Sequence, residues 1–137
     1  MKSLLCSVLL LSLLGCSDAD PWSELEIEAL EASYTEVDGL IETTVTIDVT
    51  YRTNILDGTI YLTPQTLFVE TETGQMYPIE PASSENYCDL SLRRGEQVRC
   101  WFLAKVPNDE GVPLAVVHMY EGYDYVVATA PISIQQK

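Results

Sequence analysis

The feature that most constrains this chain is strict alternation of apolar and polar side chains. In TTVTIDVTY, Val45, Ile47, Val49 and Tyr51 fall on one side while Thr44, Thr46, Asp48 and Thr50 fall on the other. The stretch QVRCWFLAKV repeats the pattern, with Val98, Cys100, Phe102, Ala104 and Val106 against Arg99, Trp101, Leu103 and Lys105. A period of two is that of a strand with one buried face and one wet face. Weaker runs of the same kind cover Leu25 to Tyr34, Thr59 to Leu62, Thr66 to Thr71, Gln75 to Ile79, Leu114 to Tyr120 and Tyr125 to Ile134. Glycines (Gly39, Gly58, Gly74, Gly95, Gly111, Gly122) and prolines (Pro64, Pro81, Pro107, Pro113) stand in or beside the connections. Short strands punctuated this often predict an all-β antiparallel sandwich of about seven to eight strands.

One segment carries a competing signal. WSELEIEALEASY is rich in good helix formers, and Leu25, Ala29 and Ala32 would lie near one helical face. Leu25 and Ile27 also alternate with Glu24, Glu26 and Glu28, and a sandwich needs an opening edge strand here, so a strand is expected.

The first sixteen residues obey another rule. Lys2 gives a positive start, Leu4 to Leu14 form an apolar run of eleven residues, and the small Gly15 precedes Cys16. These are the parts of a secretory signal. Eleven residues are too few to cross a bilayer, which takes roughly 20. Leu13-Leu14-Gly15-Cys16 resembles the bacterial lipobox, in which a lipoprotein signal peptidase cuts before a cysteine whose thiol has been acylated. The resemblance implies that residues 1–15 are a signal peptide, that Cys16 carries lipid such as palmitate, and that residues 16–23 form a short tether before a domain at 24–137. Each buried methylene adds about 0.8 kcal/mol, so several acyl chains anchor a protein almost permanently. Ser17, where an aspartate would favour inner-membrane retention, points to the outer membrane of a Gram-negative bacterium.

On that reading the cysteines divide cleanly. Cys6 leaves with the signal and Cys16 takes lipid, so Cys88 and Cys100 remain as a pair expected to form a disulfide in an exported protein. In CDLSLRRGEQVRC the residues are symmetric about Arg94, which predicts a hairpin with Arg93-Arg94-Gly95 as its loop and the two sulfurs opposite each other. A redox or metal pair lacks CxxC spacing and a histidine nearby in sequence.

Removal of residues 1–15 leaves six Lys and Arg against 21 Asp and Glu, a side-chain charge of −15 on one ordinary domain. Phosphate backbones and anionic headgroups repel such a surface, which excludes nucleic acid as a partner. The charge is read first as a solubilising surface and second as a recognition patch.

Candidate functional residues are few. His118 is the only histidine, placed by alternation opposite Val117 and Met119, and no GxSxG elbow supplies it with a nucleophile. Asn108, Asp109 and Glu110 in PNDEG offer oxygens to a cation, but the EF-hand spacing is absent and an exposed acidic turn is the simpler expectation. Tyr120, Tyr123 and Tyr125 surround a turn at Glu121-Gly122; tyrosines there either pair across strands or present contact area to a partner. Trp101, on the face away from Cys100, is the remaining aromatic candidate for binding.

From about Leu25 to Ile134 the chain resembles the immunoglobulin-like sandwich domains of bacterial surface and periplasmic lipoproteins. VTIDVTY, LFVETETGQMYPI, the LRRGEQV hairpin pattern and the closing KVP carry that likeness. It implies an immunoglobulin-like architecture and no catalytic residue, cofactor or metal. The expected function is non-catalytic: docking of another envelope or extracellular protein by a membrane-anchored domain. A structural accessory subunit of a secretion, motility or transport complex is the alternative, and an enzyme a remote third. Fold alone does not separate them.

Overall fold

The computed structural model describes residues 25–52, 59–119, 126–133 and 135–136. These hold ten strands: β1 (Leu25–Val37), β2 (Leu40–Tyr51), β3 (Thr59–Leu62), β4 (Leu67–Thr71), β5 (Met76–Pro78), β6 (Leu90–Arg93), β7 (Gln97–Pro107), β8 (Pro113–Met119), β9 (Val126–Pro131) and β10 (Gln135–Gln136). One 3-10 turn, Asn108–Glu110, interrupts them. The described part of the segment with helical propensity, from Leu25 on, is strand, because its apolar side chains Leu25, Ile27 and Ala29 turn to the core at alternate positions. The strand count exceeds the expected seven to eight through pieces as short as β5 and β10.

Why β1 and β2 pair is visible at their turn. Asp38 and Gly39 both have positive φ, 52° and 80°, as a two-residue hairpin loop of matching twist requires. The pair then runs from Val37 opposite Leu40 to Leu25 opposite Tyr51, with a bulge at Leu30. β7 takes the other edge of β2 from Leu40 opposite Pro107 to Thr50 opposite Gln97. The first sheet therefore has the order β10-β1-β2-β7, β10 being parallel to β1 and the rest antiparallel. A second, antiparallel sheet has the order β9-β8-β4-β5, and β3 pairs with β6 as a separate ribbon.

The inward faces meet in one apolar cluster. Val45, Ile47, Val49, Tyr51 and Phe102 come from the first sheet, Leu67, Val69 and Val116 from the second, and Ile60, Leu62 and Leu92 from the ribbon. All eleven are buried. The chain is thus an antiparallel β-sandwich, and the two alternating stretches are the neighbouring strands β2 and β7 of its first sheet.

The hairpin expected around Arg94 is not there. β6 and β7 are joined by a turn in which Glu96 N–H donates to Arg93 O at 3.0 Å and Gly95 has φ 89°. The strands then part: β6 pairs with β3 and β7 with β2. Both have the right alternation for a hairpin, but in a two-sheet fold each buries its apolar row better against a different neighbour. The turn is pinned to the end of β2, where Gly95 N–H donates to Tyr51 O at 2.7 Å and Tyr51 N–H to Glu96 O at 3.0 Å.

The disulfide nevertheless forms. Cys88 and Cys100 are bonded, with Cα atoms 5.1 Å apart. The chain approaches β7 in parallel at Tyr87, beside Trp101, and reverses after Cys88, where Asp89 N–H donates to Tyr87 O at 2.8 Å. The sulfurs thus meet at a chain reversal on the edge of the first sheet.

Candidate functional site

A sandwich has two open sides where sheet edges face each other, and here the two are treated differently. On the β7 side the chain covers its own edge. Ile79 bridges Ala104, Glu80 N–H donates to Leu103 O at 2.7 Å, and Trp101 N–H donates to Asn86 O at 2.9 Å while Trp101 O accepts from Cys88 N–H at 2.9 Å. Trp101 is half-buried: its indole N–H donates to Glu85 O at 3.0 Å and its ring meets Tyr87 edge-on at 5.1 Å and 85°. Its polar handle and one ring contact are used inside the molecule. Tyr87 is buried with its hydroxyl unpartnered, and burial, then Glu80 and Asp89, push its phenol up to about 12.

On the opposite side β1 and β9 face each other across a cleft of about 610 Å³. Leu25 and Val127 are buried at its base, whereas Ile27 and Ala128 are core side chains left half-covered. Glu26 and Glu28 stand exposed on the outward face. β10 covers the outer edge of β1 only at Ser33 and Tyr34, so among the described residues Leu25 to Ala29 pair with β2 alone. The β9 edge is blunted by a bulge at Val127 and by Pro131, which has no N–H to offer.

Charges across the outer face follow the register. Glu28, Asp48 and Arg99 lie in one row over β1, β2 and β7. Arg99 grips Asp48 through two hydrogen bonds of 2.8 and 3.0 Å, which hold the Asp48 carboxyl below its ordinary range. Asp48 therefore stands between Glu28 and the guanidinium. In the next row Arg52 pairs with Glu26 at 2.6 Å, and Gln97 donates to Thr50 at 3.1 Å. The cleft is lined by three carboxylates, Glu26, Glu28 and Asp48, and one guanidinium, Arg52, with Arg99 outside the lining and bonded to Asp48.

His118 sits in β8, register partner of Ala128 at the cleft and of Leu67 on the other side. It is 1% exposed, and Nε2 lies 3.1 Å from Tyr61 O, an acceptor that fixes Nε2 as the protonated nitrogen. Nδ1 is buried without a partner. Burial lowers the imidazole to about 4, against the smaller opposing effect of the Tyr61 carbonyl. It joins the ribbon to the second sheet as a neutral donor.

At the acidic turn, Glu110 accepts hydrogen bonds from Thr71 and Thr73. Among the described residues no group of three or more His, Cys, Asp or Glu gathers as metal ligands. Tyr120, Tyr123, Tyr125 and Cys16 lie outside the described residues. That β1 is a strand was readable from its Glu alternation, and its edge position from the need of a sandwich for an opening edge strand. Its partnership with β9 was not, because nothing in either segment encodes the distance between two sheets.

No family model and no curated protein matches the sequence. Among solved structures the chain is similar to a secreted protein from Mycobacterium tuberculosis, MPT63, with a TM-score of 0.48 and 16% identity over 79% of this chain and 81% of that one. A likeness of that size transfers neither function nor location.

Proposed function

We propose that this is a lipid-anchored cell-envelope protein, held in the outer membrane through Cys16, whose sandwich binds another envelope or extracellular protein without catalysing a reaction. The observation that carries the docking half is the cleft between β1 and β9, where a strand edge and half-covered core side chains stay open while the opposite side is sealed. Exposed edges are surfaces that proteins either protect or use for pairing with another chain. Support for the anchoring half is the ordered set Lys2, Leu4 to Leu14, Gly15 and Cys16, with Cys88 and Cys100 joined to each other. A disulfide suits an oxidising compartment.

Two measurements test the halves separately. A bacterial host fed a labelled fatty acid incorporates it into the chain, and Cys16→Ala abolishes the label; persistent labelling of that variant, or none in the parent, removes the anchor. A photo-crosslinking residue at Thr129, exposed in the cleft, captures one stoichiometric protein, while the same residue at Lys105, exposed on β7, does not. Equal capture at both positions, or none, removes the docking site. A partner shared with a secretion, motility or transport assembly would make the protein an accessory subunit of it.

A further inference from the structure

We infer that the open edge of β1, from Leu25 to Ala29, takes an extended segment of a partner protein carrying Lys or Arg at alternate positions with aliphatic residues between them. The inference deepens the docking reading above and does not depend on the lipid.

The edge is already shown to accept a strand. β10 adds to it in parallel at Ser33 and Tyr34, just past the bulge at Leu30. Before that bulge, over a length of roughly 15 Å at about 3.4 Å per residue, those of the residues Leu25 to Ala29 whose backbone groups turn away from β2 have no strand partner among the described residues. Strand addition draws its affinity from the main chain and its selectivity from alternate side-chain positions.

Those positions specify the occupant. Toward the core, Ile27 and Ala128 are half-covered and would be sealed by aliphatic side chains of an incoming strand. Toward solvent, the exposed Glu26 and Glu28 flank the added strand; Glu26 is held by Arg52, while Arg99, beyond Asp48 in the row of Glu28, is bonded to Asp48, so Glu28 has no bonded cation among the described residues. The surplus carboxylate calls for a cation on the same side. A second copy of this chain fits badly: antiparallel self-pairing centred on Ile27 sets Glu26 of one copy against Glu28 of the other, and like charges directly opposite destabilise a sheet.

The test uses the purified full chain in detergent and three fluorescent hexapeptides: alternating Lys and Val, the same peptide with a central Val replaced by Pro, and alternating Glu and Val. Anisotropy is expected to report binding of the first and much weaker binding of the other two. Glu28→Lys is expected to weaken the Lys-Val peptide roughly fivefold, as lost attraction and added repulsion between exposed charges, and to strengthen the Glu-Val peptide. Equal binding of the Pro peptide would reduce the effect to bulk charge and overturn strand addition. Indifference to Glu28→Lys would overturn the assigned edge, and self-association of the chain with no peptide bound would replace the partner by a second copy. Absence of peptide binding while Thr129 still crosslinks to a protein overturns only this inference; loss of the crosslink too overturns the docking reading with it.

Discussion

The two sides of this sandwich solve the same problem in opposite ways. At β7 the free edge is covered by the protein's own chain: two bridges, a disulfide and the Tyr87–Trp101 contact close it. At β1 the edge carries a bulge, two glutamates and a two-residue strand, and the core shows through beside it. The sealing at β7 is covalent and aromatic, so it contributes stability. The protection at β1 is electrostatic, and a partner of opposite charge can satisfy it. One side of the molecule is closed by its own chain, and the other is left open among the described residues.

Breaking the sealed side should cost most. Replacing Cys88 and Cys100 together by Ala is expected to remove about 3 kcal/mol, the chain-entropy worth of a loop of this size, read as a lower urea midpoint. Of similar size is the pH response of His118, which underlies the open side. Its imidazole is held near 4 in the fold against 6.5 ordinarily. The unfolded chain therefore binds the extra proton, so this stability is intact above pH 6.5 and drains as pH falls toward 4. The loss is on the order of 3 kcal/mol. Unfolding midpoints measured across that window should fall more steeply for the parent than for His118→Gln; parallel curves would remove the histidine from the explanation.

Truncations sharpen the contrast between the edges. Trp101→Ala, which empties a half-buried aromatic contact, should cost about 2 kcal/mol, and Ile27→Ala on the open side about 1 kcal/mol. A larger loss at Ile27 than at Trp101 would reverse the assignment of rigid and open sides. Tyr87→Phe removes a buried hydroxyl that has no partner and should be neutral or stabilising by up to about 1 kcal/mol. Glu28→Lys, exposed and away from the core, should stay within about 0.5 kcal/mol of the parent in stability, so its effect on binding can be read cleanly.

Much of the fold was legible because β2 and β7 alternate without interruption, and alternation fixes which side chains are buried. The disulfide was legible by elimination among four cysteines. Its geometry was misread: the symmetry of residues 88 to 100 describes two good strands but not which strand each prefers, and β6 left β7 for β3. Trp101 was correctly placed on the face away from Cys100, yet the 85–88 segment that covers it has no periodicity to announce it. His118 reads as an ordinary strand position, and its hydrogen-bond partner, the Tyr61 carbonyl, lies 57 residues away in sequence. The open edge was half legible, since alternation with glutamates marks β1 as a strand and a sandwich needs an edge at its opening, while β9 faces it only through the packing of whole sheets.

Native-state amide hydrogen exchange on the protein alone separates the two sides residue by residue. Between Leu25 and Ala29 the amides should alternate, slow where they bond to β2 and fast where they face the cleft, while Trp101 and Cys88 at the β7 edge are uniformly slow. Uniform protection from Leu25 to Ala29 would mean that the edge is already occupied, and the proposed docking site would not exist.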